Sequence, residues 1–191
     1  MKKYVNTKKL AMMGFLTALV ILLQAFVQIR FGVFAISTVL VPIVIGGALY
    51  GCAAGAWLGF VFGLVVLISG DATPFMAVNA GGTILTVLLK GAAAGFVAGF
   101  VYKALEKVNR YVAVVAAAIC CPVVNTGVFL IACRVFFFDT IKAWGEAAGF
   151  TNVATYMIVG LVGINFLLEL AANVVLSPTA VRIIDVVKKK K

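Results

Sequence analysis

Apolar positions in this chain do not alternate with polar ones; they run on in unbroken stretches separated by short polar links. Alternation is the mark of a lipid-facing β-barrel strand, and its absence argues against a barrel. About 20 apolar residues cross a hydrocarbon core as a helix. Counting on that basis predicts spans near 10–29, 36–50, 53–69, 83–102, 111–138 and 153–181. The second and third are short and joined by the tight link "LYGCA". They read either as a re-entrant pair or as two short or tilted helices. The two-helix reading gives an all-α membrane protein: a compact bundle of six transmembrane helices, one domain over residues 1–191, with both termini on one side.

Composition sharpens the picture. Of 191 residues, 64% are hydrophobic and 12% charged, and the mean hydropathy is +1.19. A soluble domain carries about a quarter of its residues as charges, so this chain needs the bilayer as its solvent. Lysines precede the first apolar run, as in a signal peptide. That run is long for a signal core and no small-residue cleavage site follows it, so it reads as a retained helix.

The formal net charge of +10 raises nucleic acid as a partner, but its placement argues against that. Twelve of the sixteen Lys and Arg residues sit at span ends: Lys2, Lys3, Lys8 and Lys9, the segment "YKALEKVNRY", and the C-terminal "VRIIDVVKKKK". Clusters at the ends of spans follow the positive-inside rule. They predict cytoplasmic termini in a multi-pass cell-membrane protein. The outer connections are then 30–35, 70–82 and 139–152, with only Arg30 and Lys142 as basic residues.

Glycine is spaced for close packing. "GCAAGAWLGFVFG" puts Gly51, Gly55, Gly59 and Gly63 at intervals of four, and "GAAAGFVAG" does the same with Gly91, Gly95 and Gly99. Such spacing lets helix backbones approach, as lipid itself cannot drive them to do. The two stretches are not an internal repeat, because their helices run in opposite directions; both read as internal packing. In the first span Ala11, Gly14 and Ala18 form a small face on an otherwise bulky helix. It would dock either an outside helix or a neighbour in the bundle.

Polar residues at membrane depth carry the functional signal. "CPVVNTGVFLIACRVFFFD" places Asn125 and Thr126 near the midplane of the fifth span, with Pro122 freeing a carbonyl near Ala118. Lys90 lies in the fourth span, and Asn165 and Glu169 are one turn apart in the sixth. Ionisable residues within a bilayer are costly and rarely face lipid. Three consecutive spans offering polar groups at similar depth predict a polar cavity among them. Lys90 and Glu169 either bind a ligand or neutralise each other as a buried pair, and either asparagine alone would serve as an interhelical hydrogen bond. Arg134 is about 180° from Asn125 on an ideal helix; it caps the cavity through a twist or snorkels at the rim. The outer loop "SGDATPFMAVNAGG" is apolar for an exposed link. It reads as a lid with Asn79 at its tip, or as an interfacial anchor.

Enzymatic chemistry finds little support. There is no phosphate-binding G-x-x-x-x-G-K-[ST] stretch, no histidine, and only six acidic residues, with Glu169 alone at depth. No catalytic set, metal site or cofactor is expected. Cys52, Cys120, Cys121 and Cys133 read as small packing residues.

Over its whole length the chain resembles the substrate-binding S components of energy-coupling factor (ECF) vitamin transporters. The likeness rests on six spans, a basic N-terminus leading into the small-residue first helix, the glycine-rich third helix and "PVVNTGVF" in the fifth. It implies a vitamin site in the outer part of helices four to six, covered by outer loops. It also implies that Gly14 and Ala18, with Ala11 beside them, meet a membrane scaffold (T) component driven by two cytoplasmic ATPases. The family often has alanine at both key positions; here one is Gly14. Lys90 and Arg134 suit a carboxylate-bearing vitamin, with pantothenate first, then folate, riboflavin and lipoate. A stand-alone facilitator or secondary carrier is the alternative within transport, and a non-transporting membrane subunit the alternative outside it.

Overall fold

The computed structural model describes residues 7–26, 29–31, 34–36 and 38–189, so Lys2, Lys3, Lys190 and Lys191 of the basic termini lie outside the described residues. The apolar runs form helices, because only a helix or a closed barrel satisfies every backbone group away from water. Four helical stretches are long and apolar enough to cross a membrane: Thr7–Phe26 (α1), Ala80–Leu105 (α5), Arg110–Phe136 (α6) and Val153–Lys189. The last comprises a short turn Val153–Thr155 (α8), a π-helical segment Tyr156–Val162, and Gly163–Lys189 (α9). Leu40–Tyr50 (α2) and Cys52–Ile68 (α3) are shorter apolar helices. Gly51, at φ 89°, is the break between them, a left-handed backbone that glycine adopts without steric penalty.

Three features differ from the expected spans. The second helix starts at Leu40 rather than 36, because Ile29–Phe31 (β1) and Phe34–Ile36 (β2) pair as an antiparallel ribbon ahead of it. The connection 70–82 holds a helical turn, Thr73–Met76 (α4), and 139–152 begins with an amphipathic helix, Phe138–Ala147 (α7). The final helix runs through Pro178 to Lys189. Proline at 178 removes the amide that would bond the Val174 carbonyl; Ser177 Oγ donates to that carbonyl instead, at 2.7 Å.

The glycine stripes of α3 and α5 face each other. A Cβ added at Gly55 would meet the carbonyl of Gly95, and one at Gly59 that of Gly91; one at Gly63 would come within 2.7 Å of the Val87 oxygen. These backbones touch, with no side chain between them, as small-residue packing requires. Around this seam lies a core that includes Ile43, Leu58, Val87, Ala94, Ala98 and Tyr102.

The described basic clusters gather at one end of the bundle. Lys9 stands 5.8 Å over the Tyr50 ring, and Lys8 and Lys9 border the same groove as Ile183 and Val187. Close by, Lys188 Nζ donates to Glu106 at 2.6 Å and to Tyr102 at 3.0 Å, and Arg110 pairs with Asp185. The Lys188 ammonium holds the Glu106 carboxyl below its ordinary range. These contacts fasten the α5–α6 turn to the end of α9. At the other end, Gln24 donates to Asp71 at 3.0 Å, tying α1 to the loop after α3.

Candidate functional site

α5, α6 and α9 each contribute a polar group to one void of about 200 Å³. Lys90 enters from α5; Asn125 and Thr126 come from α6; Asn165 and Glu169 come from α9. Phe129, one turn beyond Asn125, forms an apolar wall with Phe166, and the π segment adds Leu161 and Val162. Asn125 is 6% exposed and its Oδ1 has no hydrogen-bond partner among the described residues. Lys90 and Glu169 share this void without a direct ion pair, in contrast to Lys188 and Glu106, which meet at 2.6 Å. The Lys90 ammonium instead lies 5.1 Å from the centroid of Phe129, within reach of a cation–π attraction.

Above Phe129 sits the α4 turn. Phe75 packs edge-on against Phe129 at 5.5 Å, Phe137 at 5.1 Å and Trp144 at 5.4 Å. The apolar loop of the sequence is thus folded onto the C-terminal part of α6 and onto α7, with one ring in contact with the cavity wall.

Of the seven residues expected to bind substrate, Lys90, Asn125, Thr126, Asn165 and Glu169 come together. Asn79 and Arg134 do not join them. Asn79 is the N-cap of α5, its Oδ1 accepting from the Gly82 amide at 2.9 Å. Arg134 is exposed and stacks on Phe138 at 4.0 Å. The half-turn separating it from Asn125 keeps it off the cavity face.

The sequence reading passed over Phe129, Phe166, Leu161 and Val162. Phe129 was findable, since a residue four beyond Asn125 shares its helical face. The same rule extends the α9 stripe downward. Asn173 and Ser177 continue Asn165 and Glu169 at intervals of four and are 1% and 2% exposed. Asn173 Nδ2 donates to the Glu169 carbonyl at 2.8 Å, while its Oδ1 is buried without a partner.

Among the described residues no three His, Cys, Asp or Glu side chains are grouped to hold a metal. All four cysteines are free thiols, with Cys121 and Cys133 fully buried. On α1, Ala11, Gly14 and Ala18 are all exposed, and a Cβ at Gly14 would have nothing within 4 Å. Among the described residues this small face is left exposed.

Residues 8–181 fit the family model described as ECF transporter, substrate-specific component. No curated protein and no solved structure matches the chain.

Proposed function

The chain belongs to the substrate-specific components of ECF transporters, multi-pass membrane proteins that bind the transported substrate, and on that premise we propose that it captures a water-soluble vitamin from the outer face for ATP-driven import. The observation that carries the proposal is the void lined by Lys90, Asn125, Thr126, Asn165 and Glu169. Polar groups at membrane depth are kept where they serve a ligand or a pathway. Pantothenate is the first candidate, with folate, riboflavin and lipoate behind it.

In this reading the chain is one six-span domain with both termini cytoplasmic. The gathering of Lys8, Lys9, Arg110 and Lys188 at one end supports that orientation. The exposed small face of Ala11, Gly14 and Ala18 serves as contact for a scaffold (T) component, itself driven by two cytoplasmic ATPases. Hydrolysis then belongs to partner chains, and this subunit performs no catalysis. The α4 turn acts as cover for the ligand through Phe75.

Asn125→Leu tests the site directly. Removing a buried hydrogen-bonding group from the ligand is expected to weaken vitamin binding by about 1–3 kcal/mol, read by calorimetry on the isolated subunit with an unchanged melting temperature as the control for folding. Equal affinity in the variant and the parent takes Asn125 out of the site.

A further inference from the structure

Taking the substrate-capture reading as given, the chemistry of the void narrows what fills it. Asn125 Oδ1 is an acceptor, buried and unmatched. A buried acceptor without a donor is costly to leave unmet, so a ligand that brings an N–H or O–H group to it is favoured. Lys90 supplies the opposite demand. Its ammonium has a ring face at 5.1 Å and no carboxylate in direct contact, and the strongest partner it can gain is an anion.

The two demands sit at different heights. Phe129, which marks the Lys90 ammonium, is four residues beyond Asn125, or about 6 Å along the helix axis at 1.5 Å per residue. It is also the ring that touches Phe75 of α4 at 5.5 Å. The cationic end of the void therefore lies toward α4, and the acceptor end lies deeper. Glu169 lines the void as a second acceptor group, one turn further from the π segment than Asn165.

Volume sets the third constraint. Pockets for drug-sized ligands span about 300–1,000 Å³, and this one holds about 200 Å³. A void of that size favours the smaller of the candidate vitamins over a fused-ring one with a long substituent.

We infer that the substrate is a small bipolar molecule, its carboxylate on Lys90 at the α4 end and an N–H or O–H donor on Asn125 Oδ1 at the deep end. Among the proposed vitamins this favours pantothenate, which has an acid at one end and hydroxyl and amide donors at the other. It disfavours lipoate, whose ring end has no donor, and riboflavin and folate on size.

The test uses the purified full-length chain and pairs of compounds that differ at the carboxylate, replaced by a neutral alcohol or amide: pantothenate against panthenol, and lipoate against lipoamide, with riboflavin and folate alongside. Pantothenate is expected to bind at least ~10-fold more tightly than panthenol, the effect of one charge-assisted hydrogen bond. Lys90→Met should shrink that preference to within ~3-fold, because both compounds then meet the same neutral wall. Lipoate should bind at least ~10-fold more weakly than pantothenate for want of a donor to Asn125. Equal binding of pantothenate and panthenol overturns the inference, and that arm needs no variant to fold. Tight binding of riboflavin or folate alone also overturns it while leaving substrate capture intact. Binding of none of these compounds removes the inference, and the capture reading falls with it only if no other compound co-purifies with the chain.

Discussion

Gly14→Trp or Ala18→Trp is expected to abolish vitamin uptake in cells supplying the whole transporter while leaving vitamin binding by the isolated subunit unchanged. The physical ground is the emptiness around these positions. A Cβ at Gly14 meets nothing within 4 Å, and Ala11, Gly14 and Ala18 are all exposed. An indole at Gly14 starts into open space and one at Ala18 from an exposed position, so a loss of uptake with binding intact arises in contact with another chain. Small faces in lipid bring helices to backbone contact, and a ring about the size of a helix radius prevents it. The rest of the α1 surface is bulky, with Leu10 and Phe15 each 63% exposed, so the small face is a recess among large side chains. Uptake assays paired with calorimetry decide the matter. Normal uptake makes this face a lipid contact only; loss of binding along with uptake makes it part of the bundle's own packing.

The second large effect concerns the seam between α3 and α5. Gly59→Leu is expected to eliminate the folded protein, seen as aggregation on size-exclusion chromatography and loss of the melting transition in detergent. Overpacking a core costs about 1–3 kcal/mol when side chains can shift aside. Here the obstacle is the Gly91 backbone, which cannot rotate away, so the cost lies at or above that range. Gly127→Ala is the control, because a Cβ there meets nothing within 4 Å, and alanine also favours the helix. A Gly59→Leu protein with the parent's melting temperature would mean that the two helices stand further apart than the structure has them.

The sequence reading identified the glycine stripes and assigned them to internal packing, yet it did not pair them. Intervals of four on both stretches looked like a repeat. The structure gives the physical reason for the likeness: the helices are antiparallel, so each step of four up α3 meets a step of four down α5, Gly55 with Gly95 and Gly59 with Gly91. A stripe in the sequence names a face, and only the packed structure names what covers it.

The polar site was legible for a related reason. Lys90, Asn125 and Glu169 were each expensive where they stood, and cost at membrane depth is a signal that needs no partner to be visible. Asn79 and Arg134 carried no such depth. Asn79 sits where a helix begins, and four amides there need acceptors; the cap claims its side chain. Arg134 reaches an aromatic face near its own helix end. The π segment had no signal at all, since "YMIVGLV" has the composition of any apolar helix. The β1–β2 ribbon was equally hidden, because residues 30–35 read only as a short connection between two apolar runs. α7 escaped because a short amphipathic helix in a connection is masked by its polar residues when spans are counted by apolar length.

The central claim is that the void among α5, α6 and α9 holds one substrate molecule without help from other chains. Equilibrium binding to the purified subunit, free of scaffold and ATPases, tests it most directly, with the bound compound identified by mass spectrometry after denaturation. The account predicts one vitamin per chain at nanomolar affinity, weakened by about 1–3 kcal/mol when Asn125 is replaced by leucine. A subunit that binds no vitamin, or binds one with equal strength after that replacement, contradicts it.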